Sequence, residues 1–160
     1  MFQCIVVPLD GSKLAEQVLP YAASMAKSFG ARIQLVQVVA SSSQLSSMGM
    51  MGAGDAGGAP RDFAALEAAL TAEVSHTRTY LEKIATDLRK NSVQVDWEVR
   101  RGVAAMEIAG CARQHQADLI AISTHGRGGL ARLLFGSVAD RVLREAGIPV
   151  LLVPPTEGTS

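Results

Sequence analysis

The sequence is poor in the residue types that define several classes of protein. Aromatic residues make up 4% of its 160 residues, and it has two cysteines. The core must therefore be built from valine, leucine, isoleucine and alanine. The cysteines have neither a C-x-x-C spacing nor a nearby pair of histidines, so the sequence predicts no disulfide framework and no metal site. We expect Cys4 and Cys111 to be packed thiols.

An excess of charge of one sign is also missing. Fifteen Lys and Arg residues balance fifteen Asp and Glu residues, so no net field attracts nucleic acid or an anionic membrane. No apolar run approaches the roughly 20 residues of a membrane span, and no signal-like segment follows Met1. We expect a cytoplasmic, single-domain protein without nucleic-acid or membrane partners.

Apolar strands alternate with helical patterns along the chain. The predicted strands cover residues 4–9, 33–39, 93–99, 119–122 and 150–153, and the predicted helices cover residues 12–28, 62–90, 104–114 and 137–146. The strands at 4–9, 119–122 and 150–153 are continuous apolar runs, whereas residues 93–99 alternate between apolar and polar, as an edge strand with one wetter face does. This order predicts an α/β fold with a parallel sheet.

The ends of two helices carry recognisable signals. Ser12 is a predicted N-cap, Gly30 a predicted stop, and Pro20 should kink the helix between them or remove one of its hydrogen bonds. Ser137 and Asp140 have the spacing of a capping box, which predicts that the serine oxygen accepts a bond from a backbone N–H of the first turn.

Small residues flank the loop after the strand at 119–122. The strand ends in the small-residue turn Ser123-Thr124-His125-Gly126-Arg127-Gly128-Gly129, and the next helix begins with Gly136-Ser137. Strand, glycine turn and helix start together favour a phosphate site, because glycine lets the backbone approach a ligand and the helix N-terminus attracts anions. The alternative is that the glycines only permit a tight turn.

The same segment resembles the C-terminal signature of the universal stress protein family, whose ATP-binding members carry Gly-x2-Gly-x9-Gly-[Ser/Thr]. Gly126, nine residues and then Gly136-Ser137 match, while Ser123 stands in place of the first glycine. Val7-Pro8-Leu9-Asp10-Gly11-Ser12 also fits the family. The resemblance implies one domain over residues 1–155, with an insertion at about 41–60 and a tail at 156–160.

For the fold, the resemblance implies an open five-stranded parallel sheet of order 3-2-1-4-5 with helices on both faces, as in Rossmann-like and adenine-nucleotide alpha-hydrolase-like proteins. For the assembly, it implies a homodimer joined across the edge strand at 150–153. A bare apolar edge strand supports this expectation, because native proteins cover such edges.

With this strand order, ligands should bind where the winding reverses, beyond the carboxyl ends of strands one and four. Pro8, Leu9 and Asp10 end strand one, and residues 123–126 end strand four. Asp10 could accept from ribose hydroxyls or an adenine amino group, or help place a metal; alternatively, it forms an Asx-type turn. The hydroxyl of Ser123 is small enough to fit beside the phosphates and could bond to them.

The remaining predicted site residues follow from the resemblance and from their chemistry. Val38 matches the family position whose backbone meets adenine, and Gly102 ends strand three, where the backbone could approach a ligand closely. Gly126 and Arg127 should lie along the phosphates, the arginine as counter-charge, and His125 should pack against the site or fix the loop. At the helix start, Gly136, Ser137 and Val138 should present backbone N–H groups, and the Ser137 hydroxyl could donate to a terminal phosphate.

Residues 40–60 form a loop rich in Ser, Met, Gly and Ala. Gly52, Gly54 and Gly57 spell G-x-G-x-x-G, but no strand directly precedes them, so this is not a dinucleotide fingerprint. A loop of this length is either a lid, in which its methionines could cover a ligand or partner, or a flexible insertion without a role.

The resemblance favours a regulatory, ATP-binding dimer of the stress response, carrying ATP with Mg²⁺ and acting on a protein partner that the sequence does not identify. The alternative is a module of the same fold that binds no nucleotide and works through protein interactions. No nucleophile-base pair and no G-x-x-x-x-G-K-[ST] loop is visible, so we expect no catalytic residues and at most slow ATP hydrolysis. His76 and His115 are predicted to be surface residues.

Overall fold

The computed structural model of the chain describes residues 1–41, 63–124 and 136–156. In these ranges the elements, in chain order, are β1 (Cys4–Leu9), α1 (Lys13–Glu16), α2 (Leu19–Phe29), β2 (Arg32–Val39), α3 (Phe63–Lys90), β3 (Val95–Arg101), α4 (Ala104–Gln114), β4 (Leu119–Ser123), α5 (Ser137–Glu145) and β5 (Val150–Val153). None of these helices is long and apolar enough to cross a membrane. Most of the insertion at about 41–60 lies outside the described residues.

The five described strands form one parallel sheet in the order β3-β2-β1-β4-β5. This confirms the predicted α/β class and the order 3-2-1-4-5. β1 lies in the centre, between β2 and β4, while β3 and β5 are the two edges. The winding reverses between β1 and β4, because the chain adds strands first on one side of β1 and then on the other.

Two apolar clusters cover the two faces of the sheet, as continuous apolar strands require. On one face, Ile5 and Leu35 pack with Ala22 of α2 and Leu81 of α3. On the other, residues of β1, β2 and β4 pack against α4 and α5, among them Val6, Val36, Ile120, Ile108 and Val142. Both cysteines are buried free thiols, as predicted.

The first predicted helix is two helices. α1 ends at Glu16 and α2 begins at Leu19, so that Pro20 lies in the first turn of α2. A proline there loses nothing, because the N–H groups of the first turn have no intrahelical partner. The predicted caps are correct: Ser12 Oγ accepts from Ala15 N at 3.1 Å, and Gly30 is left-handed with φ of 67°.

The start of α5 differs from the predicted capping box. Gly136 is the N-cap, no side chain caps the helix there, and Ser137 is the first helical residue. The carboxylate of Asp140 pairs with Arg144 Nε at 3.1 Å, one turn further along the helix. Because glycine has no side-chain acceptor, the first turn of α5 keeps N–H groups for another partner.

The polar face of β3 is less exposed to solvent than the alternating pattern predicts, although β3 is an edge strand as expected. The side chains of Glu98 and Arg100 are 26% and 15% exposed, and Arg100 Nε lies 2.8 Å from Glu98 Oε1. His115 was predicted at the surface, but its side chain is only 22% exposed and lies against Glu98. The prediction for His76 is confirmed: it is exposed on α3.

Candidate functional site

A cavity of about 350 Å³ opens at the carboxyl ends of β1 and β4. Its lining comes from the ends of three strands, from α1 and from the first turns of α4 and α5: Pro8, Leu9, Asp10, Ala15, Val36, Val38, Ala104, Ile108, Ile122, Ser123, Gly136, Ser137, Val138 and Ala139. A predominantly apolar cavity with a few polar groups at its rim is the usual form of a small-molecule site. Its position is the point where the winding reverses, the general ligand site of open α/β sheets.

Eight of the twelve predicted site residues line this one cavity. They come from positions as distant in sequence as Pro8 and Val138, and the parallel sheet brings them together. His125, Gly126 and Arg127 lie outside the described residues. Gly102 is described but is not part of the lining. Contact between any of these residues and a ligand stays a prediction.

Asp10 is held at the rim by the turn that leads into α1. Ser12 N donates to Asp10 Oδ1 at 2.9 Å, and Gly11 between them has φ of 82°. The carboxylate therefore forms the Asx-type turn named above as the alternative to ligand binding. The two roles are compatible, because a carboxylate has two oxygens and can accept several hydrogen bonds.

Ser123 lies at the floor of the cavity and is 6% exposed. Its hydroxyl donates to the backbone oxygen of Ala15 at 3.3 Å, so it ties β4 to α1. The serine at this position therefore has a partner for its hydroxyl within the protein. This hydrogen bond competes with the predicted one from Ser123 to phosphate.

The N-terminus of α5 forms one wall of the cavity. Gly136, Ser137, Val138 and Ala139 all line it, and no side chain among the described residues caps the helix. A helix N-terminus carries a partial positive charge and N–H donors, and both favour an anion. The wall is therefore suited to a phosphate group, with the apolar floor beside it.

A second cavity, of about 300 Å³, lies on the other side of Asp10. Gln37 and residues of α3, among them His76 and Tyr80, complete its lining. Burial is the main cause that raises the pKa of Tyr80, and the neighbouring Glu16, to which the phenol donates at 3.2 Å, adds to it. No pattern in the sequence predicts this cavity, because it depends on how α3 packs against the sheet.

Gly102 has a structural reason to be glycine. Its φ is 146°, and a Cβ built on it would lie 2.9 Å from Glu107 Oε1. We expect Gly102→Ala to lower the free energy of unfolding by about 1–3 kcal/mol, because few non-glycine residues adopt this conformation. Urea unfolding measures the change.

Gly110→Ala is the control for this substitution. Gly110 lies inside α4, and a Cβ there would meet the ends of two arginine side chains, Arg100 Nη1 at 3.2 Å and Arg113 Nη2 at 3.9 Å. Alanine is favoured over glycine within a helix, so this variant should lose less stability than Gly102→Ala or gain some. Equal losses in the two variants would contradict the assignment of strain to Gly102.

The doubly wound parallel sheet, with its cleft where the winding reverses, makes this a Rossmann-like α/β protein. Residues 1–154 match the model of the "Universal stress protein family". The chain belongs to that family.

Relatives and solved structures agree with this assignment. The chain is 32% identical, over 153 residues, to a universal stress protein of Methanocaldococcus jannaschii, a match that covers 96% of this chain and 82% of the relative. A universal stress protein solved in complex with cAMP has a TM-score of 0.62 at 19% identity, covering 97% of this chain and 98% of that one. One from Archaeoglobus fulgidus, in complex with dAMP, has a TM-score of 0.55 at 22% identity, covering 95% and 97%. At these identities the two structures show a shared fold.

Proposed function

We propose that this protein binds an adenine nucleotide, ATP carried with Mg²⁺, in the cleft between β1 and β4, and that binding regulates a homodimer in the stress response. One observation supports the proposal most: Asp10, the N-terminus of α5 and a set of apolar side chains line the same cavity of about 350 Å³. Two solved structures of the same fold are complexes with adenine nucleotides, cAMP and dAMP.

Each part of a nucleotide has a matching part of the cleft. The apolar side chains of Val36, Val38 and Ile108 form a surface on which a flat base could pack. Asp10 would accept from the ribose hydroxyls, since a carboxylate is an acceptor only. The first turn of α5 would donate its N–H groups to the phosphates, where anions are favoured. Arg127, which the structure does not describe, would add a counter-charge.

Mg²⁺ would enter with the triphosphate. Asp10 is the one carboxylate among the described lining residues. Magnesium keeps several waters and binds through one or two carboxylates together with phosphate oxygens. The described residues therefore fit a cation held mainly by the nucleotide, to which Asp10 could add a carboxylate oxygen.

The dimer would form through β5. Val150, Leu151 and Leu152 are each partly exposed on this edge strand, whose outer side has no strand partner among the described residues. Pairing with a second copy would cover that edge. Light scattering coupled to sizing chromatography measures the mass, and a monomer at micromolar concentration would contradict this part of the proposal.

Isothermal titration with Mg-ATP tests the nucleotide site. We expect the unchanged protein to bind Mg-ATP and Asp10→Ala to bind it about 10-fold more weakly. A hydrogen bond to a charged group contributes about 1.5–3 kcal/mol, and water in the variant recovers part of that energy. Asp87→Ala, at an exposed carboxylate on α3, is the matched control and should bind as the unchanged protein does. No heat at millimolar ATP would favour the alternative, an interaction module without nucleotide.

A further inference from the structure

Three side chains that could hold a metal ion meet between β3 and α4. One ligand atom from each of Glu98, Cys111 and His115 lies within 4.8 Å of the other two. Cys111 is fully buried, and the other two side chains are 26% and 22% exposed. None of the three lines either cavity described above. From this cluster we infer a binding site for Zn²⁺, separate from the nucleotide cleft.

The geometry of the elements explains the cluster. Cys111 and His115 are four residues apart, at the end of α4 and just after it, so both side chains lie on one side of the helix. Glu98 is on β3, opposite Val36 of β2, which packs in the same apolar cluster as Cys111. The helix therefore supplies sulfur and nitrogen, and the sheet supplies oxygen.

Unsatisfied polar atoms point to a missing partner here. His115 Nε2 is shielded from solvent and accepts or donates no hydrogen bond, although it lies 3.4 Å from Glu98 Oε1. Gln34 is 2% exposed, and its Oε1 also has no partner. Gln34 points to the same face of the sheet, because it lies two residues before Val36 on β2. Two of the three such side-chain atoms in the described residues thus belong to this face.

The donor set selects zinc. Zn²⁺ binds combinations of thiolate, imidazole and carboxylate, whereas Mg²⁺ and Ca²⁺ prefer oxygen ligands alone. Three protein ligands leave a fourth position of the tetrahedron for water. A small inward movement of the side chains would be needed, because ligand atoms around zinc lie closer together than 4.8 Å.

The local charges balance around a divalent cation. The Cys111 thiol lies beside the Glu98 carboxylate, and burial together with this neighbour raises the pKa of Cys111. On binding, the thiol proton would leave to the solvent and a zinc–sulfur bond would form. The thiolate and the Glu98 carboxylate then neutralise Zn²⁺. Arg100, which contacts Glu98, is offset by Glu107, whose Oε2 lies 3.6 Å from Arg100 Nη1.

Metal titration of the full-length protein, stripped with a chelator, tests the inference. We expect one equivalent of Zn²⁺ to bind in competition with a chromophoric chelator. Co²⁺ in its place should give a thiolate-to-cobalt charge-transfer band and the visible bands of a tetrahedral site. A cobalt spectrum without the thiolate band would overturn the inference, and so would the absence of stoichiometric zinc.

Variants of the ligands sharpen the test. His115→Gln and Glu98→Gln should each weaken Zn²⁺ binding at least about 100-fold, since loss of even an outer-shell partner costs 10- to 100-fold. Both positions are partly exposed, so these variants should fold, which circular dichroism checks, whereas Cys111→Ala is buried and need not. His76→Gln, at an exposed histidine on α3, is the matched control and should keep full affinity. Unchanged affinity in His115→Gln would refute the site.

Discussion

Binding of ATP should be lost when Val38 is replaced by tryptophan. Val38 is the second-last residue of β2 and lines the cavity, and its side chain is half-buried. An indole there would occupy the space that we assign to the base, without removing a polar group or a charge. We expect affinity at least about 100-fold weaker, which corresponds to about 2.8 kcal/mol. Isothermal titration with Mg-ATP measures it.

Val103→Trp is the matched control for that substitution. Val103 precedes α4, is 39% exposed and does not line the cavity. The same change of side chain should therefore leave both affinity and fold intact. If Val38→Trp bound ATP as tightly as Val103→Trp, the base would have to lie elsewhere, and the assignment of this cavity to the nucleotide would be wrong.

The strands could be predicted closely because their signal is local. Continuous apolar runs at residues 4–9 and 150–153 coincide with β1 and β5. β1 is buried at every position, as such a run predicts for a strand covered on both faces, whereas β5 is the partly exposed edge. The order of the strands is a different matter. Apolar runs do not say which strands are neighbours, so the order came from the family resemblance.

Two helix starts show where local patterns reach their limit. Pro20 predicted a kink, but proline is stable in a first turn, and the chain forms two helices around it. Ser137 and Asp140 had the spacing of a capping box, yet Gly136 precedes them and is the N-cap. In both cases the residue type indicated a helix boundary, but its exact position in the helix differs from the predicted one.

The two sites differ in how far the sequence predicts them. The cleft was predictable, because its residues follow the carboxyl ends of strands and the fold gathers those ends at one edge. The cluster on β3 and α4 was missed. Cys111 and His115 have helical i, i+4 spacing that could have indicated a pair of ligands, but Glu98 looked like one of several solvated residues of an edge strand. Only the packing of α4 over the sheet brings it to them.

Loss of stability should be large when Leu35 is replaced by alanine. Leu35 lies in β2, has no solvent exposure and packs in the cluster beneath α2 and α3. Leucine to alanine in a rigid core removes buried surface and leaves a cavity, so we expect the free energy of unfolding to fall by about 3–4 kcal/mol. Urea unfolding followed by the fluorescence of Trp97, the one tryptophan of the chain, measures it.

This substitution also tests whether the core on one face of the sheet affects ATP binding on the other. Side chains alternate along β2, so Leu35 points to the α3 face, whereas Val36, the next residue, packs in the other cluster and lines the cleft. Leu35→Ala should therefore keep ATP affinity within about twofold under conditions where the protein is folded, since the Leu35 side chain does not line the cleft. Leu143→Ala, at a side chain 45% exposed on α5, should change stability by no more than about 0.5 kcal/mol. If Leu35→Ala changed the stability as little as Leu143→Ala, the core on the α3 face would not be rigidly packed. If Leu35→Ala greatly weakened ATP binding, the cleft would depend on both faces of the sheet.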